Sequence, residues 1–168
     1  MVDLDPHGDV RRDEVRICDF GLCERMESEQ DDLILGFCGS PGFFAPEMIT
    51  SGSYNGAFAD MWSIGCIVLE MRVGQNEFHS TWLKPAYEPD SVNNPSLFWV
   101  RIVEAHRRIF ELLLTSHCAD FGDRAHSKSI LARLLVFEPH ARFSAAEVLC
   151  HEWCSPIMDT LATKPPVD

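Results

Sequence analysis

Asp19 is the residue whose setting in this chain best suits chemistry. The run Val15-Arg16-Ile17-Cys18 leads straight into it, and Phe20-Gly21 follow. A carboxylate at the end of a short strand can hold a hard cation, and a glycine behind it lets the backbone turn away. Downstream lie Gly39-Ser40-Pro41-Gly42, a turn that presents a hydroxyl, and then Ala45-Pro46-Glu47. Asp60 and Arg142 are the other charged residues whose neighbours draw attention: Asp60-Met61-Trp62-Ser63-Ile64-Gly65, and Glu138-Pro139-His140-Ala141-Arg142-Phe143-Ser144.

These groups must be held by the elements around them. Asp5-Pro6-His7-Gly8-Asp9 predicts a turn between two short strands, with Val2 and Leu4 on the first and Val15 to Cys18 on the second. Glu24, Glu27, Glu29, Asp31 and Asp32 crowd the loop that follows, a run that suits a solvated surface. Residues 59–71 predict a helix with apolar residues on nearly every face, hence one buried in the middle of a domain. Asp60 stands near its start, where an acidic residue can cap the helix and favour its dipole. Residues 74–95 are rich in Gly, Pro, Asn and Asp and predict a loop, with Phe78, Trp82 and Tyr87 anchoring it to the core. A helix is expected from Ser96, as cap, through Phe98, Ile102, Ile109, Leu112 and Leu113. Another covers roughly 127–137, with Ile130, Leu131, Leu134 and Leu135 at core spacing and Pro139 ending it. Ser144 and Glu147 form a capping-box pair ahead of a last short helix.

The order and separation of Asp19-Phe20-Gly21 and Ala45-Pro46-Glu47 resemble the activation segment of a eukaryotic protein kinase. The central Asp-x-Trp-Ser-x-Gly helix and the late Arg are similar to the same family. The resemblance spans about residues 2–156, with 157–168 as a tail. It implies a mainly α fold, the C-terminal lobe of a kinase domain, with a short β-hairpin before the activation segment. It makes Asp19 a ligand for magnesium and the nucleotide, and assigns Phe20, Gly21, Ser40, Ala45, Pro46 and Glu47 to the activation segment and substrate loop. Ser40 falls on the hydroxyl residue that serine/threonine kinases carry there, where tyrosine kinases carry a basic residue and Trp. Glu47 and Arg142 are implied to form a buried bidentate pair, and Asp60, Trp62 and Gly65 to be structural. Asp60 should then be a partly buried acceptor. The Gly-Ser-Pro-Gly-Phe-Phe-Ala-Pro-Glu stretch looks most like calcium/calmodulin-dependent-type kinases, and the sequence leaves the subgroup open. Where many relatives carry a phosphorylated Ser or Thr, this chain has Gly36, so no activating phosphorylation is expected there. Ser28 is the only other hydroxyl between the Phe-Gly turn and Ser40.

Composition narrows the remaining choices. The 168 residues, 46% of them hydrophobic, suit one domain with one core. No apolar run would span a bilayer, and the acidic start Met1-Val2-Asp3-Leu4-Asp5 is unlike a signal peptide. A net charge of −12 disfavours nucleic acid and anionic membranes as partners. Seven cysteines, with no Cys-x-x-Cys pair, read as reduced thiols in a cytoplasmic or nuclear compartment.

The resemblance also shows what this sequence does not contain. It has no glycine-rich phosphate loop, no strand Lys, and no His-Arg-Asp with its Asn. Met1-Val2-Asp3 looks like the tail of the strand just past that catalytic loop. Phosphoryl transfer rests on positioning and charge stabilisation by those parts. The expectation is a partial serine/threonine kinase domain whose complete parent uses ATP and magnesium on protein substrates. The 168 residues alone should bind nucleotide weakly or not at all and be inactive. The alternative is a non-catalytic, kinase-lobe-like module that binds the absent N-terminal lobe, or another protein, on an exposed face.

Overall fold

A computed structural model describes residues 17–26, 33–115 and 124–154. The expected hairpin over residues 2–18, Ser28 and the tail beyond Pro156 lie wholly or mostly outside these residues. The described part is mainly helical with one two-stranded antiparallel sheet.

The chain enters through a single 3-10 turn, Phe20–Leu22, and then forms β1, Leu33–Leu35. A short helix α1, Glu47–Thr50, precedes β2, Ser53–Asn55. Leu33 pairs with Asn55, Ile34 with Tyr54 and Leu35 with Ser53. The sheet therefore lies within the stretch between the two triplets and the central helix, and the sequence reading did not include it.

The central helix α2 runs from Gly56 to Val73, starting earlier than expected. Its cap is Asn55, whose Oδ1 accepts the Phe58 N–H at 3.2 Å. Asp60 therefore sits one turn inside the helix and caps nothing. Trp62, Cys66 and Leu69 are fully buried, and α2 packs directly on α7, Arg124–Leu134. Gly65 permits that approach: a Cβ there would meet Leu134 Cβ and Leu135 Cδ2, each at 2.9 Å.

Residues 74–95 are not a loop. They form α3 (Gln75–Glu77), a π-helical turn (Phe78–Leu83), α4 (Lys84–Ala86) and α5 (Pro89–Val92). Most of the Gly and Pro residues that suggested a loop fall at element ends: Gly74 ends α2 and Pro89 opens α5, while Pro85 sits inside α4. Phe78, Trp82 and Tyr87 are buried, and burying three aromatic side chains outweighs the poor helical propensity of the stretch.

Helix α6, Pro95–Thr115, packs against α1, α4, α5 and the π-helical turn through Phe98, Ile102, Ile109 and Leu113. Its start is capped by Asn94, whose Oδ1 accepts from Leu97 N–H at 3.1 Å, and Ser96 lies inside the helix. Helix α7 ends at Leu134, five residues before the Pro139 expected to end it, which instead opens the 3-10 turn Pro139–Ala141. Helix α8, Ala145–Leu149, starts on the expected capping box. Ser144 Oγ accepts the Glu147 N–H at 3.3 Å, and the Glu147 carboxylate accepts the Ser144 N–H at 2.8 Å.

Candidate functional site

Asp19 caps the 3-10 turn, its Oδ1 accepting the Gly21 N–H at 3.3 Å. Its own backbone is left-handed, with φ 65° and ψ 76°, the only non-glycine positive φ among the described residues. The side chain is exposed and lines an open cleft of ≈ 750 Å³. Glu24 and Asp60 line the same cleft, and no Lys, Arg or His joins them among the described residues. Asp60 lines the cleft, open to solvent on one side. Protein packed around its carboxyl still raises its pKa by desolvation. Burial, and then the neighbouring Cys38 thiol, push the Tyr54 hydroxyl up in the same wall.

The far side of the cleft is the run from Ser40 to Glu47. Ser40 is exposed, and its carbonyl accepts the Phe43 N–H at 3.2 Å to close a turn. Beyond Pro41, three consecutive carbonyls are each taken by a side chain. Trp82 Nε1–H donates to Gly42 at 2.9 Å, Ser63 Oγ–H to Phe43 at 2.8 Å, and Tyr87 O–H to Phe44 at 3.2 Å. Ala45 and Pro46 are buried, and Thr50 Oγ1–H closes α1 onto the Pro46 carbonyl at 3.0 Å.

Glu47 meets Arg142 across a bidentate pair. Nη1 lies 2.8 Å from Oε1 and Nη2 3.2 Å from Oε2, with the two side chains 0% and 9% exposed. Nη1 also donates to the Phe58 carbonyl, while Nε and Nη2 donate to Val136 at 3.1 and 3.0 Å. Every N–H of the guanidinium thus has an acceptor. The guanidinium carbon lies 5.1 Å from the ring centre of Trp62, which forms the floor of this site. Glu47, Arg142 and Trp62 form one cluster, with Gly65 a turn along α2. Asp19, Asp60 and Ser40 form a second, on the cleft. Phe20 and Gly21 turn the chain away from Asp19, and Phe20 is exposed on the rim.

Ser63, Trp82 and Tyr87 are the residues whose bonding the sequence reading missed. A signal was present for two of them, because a buried Trp or Tyr usually finds a partner for its polar end.

A magnesium-bound nucleotide can be tested against this donor set. Asp19 offers one hard oxygen ligand on an open cleft, which suits a cation that keeps several waters and takes its other ligands from phosphate oxygens. Among the described residues no group of three or more His, Cys, Asp or Glu side chains could hold a metal ion. Asp19 therefore fits as one ligand of a shared site. No described helix is long and apolar enough to cross a membrane.

Residues 5–154 match the family model described as Protein kinase domain. The chain is 27% identical to a serine/threonine-protein kinase of Drosophila melanogaster, over 91% of this chain and 17% of that protein. It is 30% identical to Ribosomal protein S6 kinase alpha-6 of Mus musculus, over 84% of this chain and 16% of the relative. It is 32% identical to Mitogen-activated protein kinase HOG1A of Wallemia ichthyophaga, over 87% of this chain and 41% of that protein. The chain thus spans well under half the length of these curated relatives.

Proposed function

The chain belongs to the protein kinase family, and from that premise we propose that it supplies the C-terminal lobe of a serine/threonine protein kinase. The reaction is ATP-dependent transfer of a phosphoryl group to a Ser or Thr hydroxyl of a protein substrate. When bound, magnesium draws charge from the phosphate oxygens. Asp19 would hold that cation, and the Gly21 N–H fixes the direction of its carboxylate. Ser40 and the run to Phe44 face the substrate peptide. Glu47 and Arg142 hold that run on the helical base. The base that takes the hydroxyl proton, the Lys on the phosphates and the glycine-rich cover are not among these residues, so the 168 residues alone do not transfer phosphate. Neither nucleic acid nor membrane is a partner.

The observation that carries this reading is the open Asp19 cleft beside a tightly fastened Ser40–Glu47 run. Its test is transfer from labelled ATP and magnesium to a serine/threonine peptide library. It is run on the 168-residue chain and on the longest polypeptide that contains it. Transfer by the longer polypeptide should fall at least about a hundredfold in Asp19→Asn. Transfer indifferent to that change refutes the assignment, and Asp19-dependent transfer by the short chain refutes its inactivity.

One observation favours a second reading, a protein-binding module without catalysis. Ile17, Phe20, Leu22 and Leu35 are large apolar side chains exposed around the cleft. A longer polypeptide that binds no nucleotide would decide for it.

A further inference from the structure

The geometry points to a role for Ser63, Trp82 and Tyr87 that no motif in the chain assigns. They are positioning residues that set the register of the Ser40–Ala45 run from outside it. The inference rests on the reading of that run as the substrate loop.

Irregular backbone normally satisfies its carbonyls with water or a neighbouring strand. Among the described residues, 42–44 pair with no strand, since the one sheet joins Leu33–Leu35 to Ser53–Asn55. Three side chains from three different elements take their place. Ser63 comes from α2, Trp82 from the π-helical turn and Tyr87 from the end of α4. No residue of the run is skipped between Gly42 and Phe44, so a shift of one residue would break all three bonds together.

Packing fixes the same register. Gly42 has φ +94°, and a Cβ there would lie 3.0 Å from Leu83 Cδ1 and 3.4 Å from Phe78 Cε1. Its backbone is therefore seated directly on the π-helical turn. The Phe43 ring lies 5.4 Å from Phe78, and Phe44 stands edge-on to Tyr87 at 4.8 Å. A π-helical turn is rare and tends to occur at functional sites. Here it presents Trp82, Leu83 and Phe78 to one glycine. The orientation of Ser40 and Phe43 toward the cleft is thus imposed by α2 and by residues 78–87.

Ser63→Ala and Tyr87→Phe each remove one hydroxyl and leave the packing in place. Trp82 is kept because its ring fills the core. The first measurement is backbone hydrogen exchange on the full chain. Exchange of the Phe43, Phe44, Ala45 and Glu47 amides should accelerate about fivefold in each single variant and about 25-fold in the double. The rest of the protein should keep its protection. Acceleration spread evenly over all helices, or none, overturns the proposal. The second measurement is kinetic, on the longer polypeptide with a serine/threonine peptide library. The peptide KM of the double variant should rise about five- to tenfold while kcat stays within about twofold. An unchanged KM overturns the positioning role. If the unaltered polypeptide transfers no phosphate, the kinase reading fails and the exchange measurement still decides this one.

Discussion

Replacing Arg142 by Leu should be among the most damaging single changes available to this fold. The side chain is completely buried and donates to Glu47, Phe58 and Val136. Its removal strands the Glu47 carboxylate in a site 9% exposed, and breaking one side of such a buried pair costs about 3–5 kcal/mol. The Phe58 and Val136 carbonyls lose a donor as well, at about 1 kcal/mol or more each where water does not reach them. A domain of this size has roughly 5–15 kcal/mol in total, so the variant stands near the edge of folding. Arg142→Lys keeps the charge with fewer donors and should lose about 1–3 kcal/mol. The assay is urea unfolding followed by far-UV circular dichroism, with Glu47→Leu and the double Glu47→Leu/Arg142→Leu completing the cycle. The double variant should cost clearly less than the sum of the singles, because it leaves no uncompensated charge. Single losses below about 1 kcal/mol, or strict additivity, would refute the argument that this pair clamps α1 to the helical base.

Three further outcomes are expected. Gly65→Ala puts a methyl 2.9 Å from Leu134 Cβ, an atom tied to the α7 backbone, and should lower the urea midpoint by an amount worth about 1–3 kcal/mol. His106 is packed on Phe110 at 4.5 Å and bonded to the Leu135 carbonyl at 2.9 Å, and burial holds its pKa below the ordinary value of 6.5. The neutral ring is the form the fold prefers, so stability is fully present above pH 6.5 and is lost as pH falls toward the lowered folded value. The melting temperature should drop over that interval, and His106→Gln should flatten the drop. Ser144→Ala removes the hydroxyl of the α8 capping box and should cost about 1 kcal/mol in the same urea assay.

What the sequence disclosed divides along physical lines. The Glu47–Arg142 contact was legible only through the family resemblance, which implies that the Glu of one motif pairs with the Arg of the other. The core faces of α6 and α7 were legible because 3.6-residue periodicity exposes them. The start of α2 was not. Asp60 looks like a cap, but Asn55 lies at the point where β2 ends, and that strand is invisible in sequence. Three residues are too few to show alternation, and the pairing of Leu33 with Asn55 depends on how the intervening chain returns. Residues 74–95 misled for the opposite reason. Their local composition favours a loop, while burial of Phe78, Trp82 and Tyr87 decides for helical turns. The mouth of the cleft was legible only as far as Asp19. That Asp60 would stand open beside it follows from packing that no local pattern records.

The backbone at Asp19 carries one more consequence. A left-handed conformation at a residue other than glycine costs about 1–3 kcal/mol, and the Gly21 N–H bond returns only part of that. Glycine at this position would relax the chain and toughen the protein while erasing the carboxylate on that turn. Selection for robustness alone would therefore drift toward glycine here. A lineage that keeps the aspartate is forgoing durability at one residue to hold an acid side chain at a fixed angle, and a descendant that lost it should be hardier.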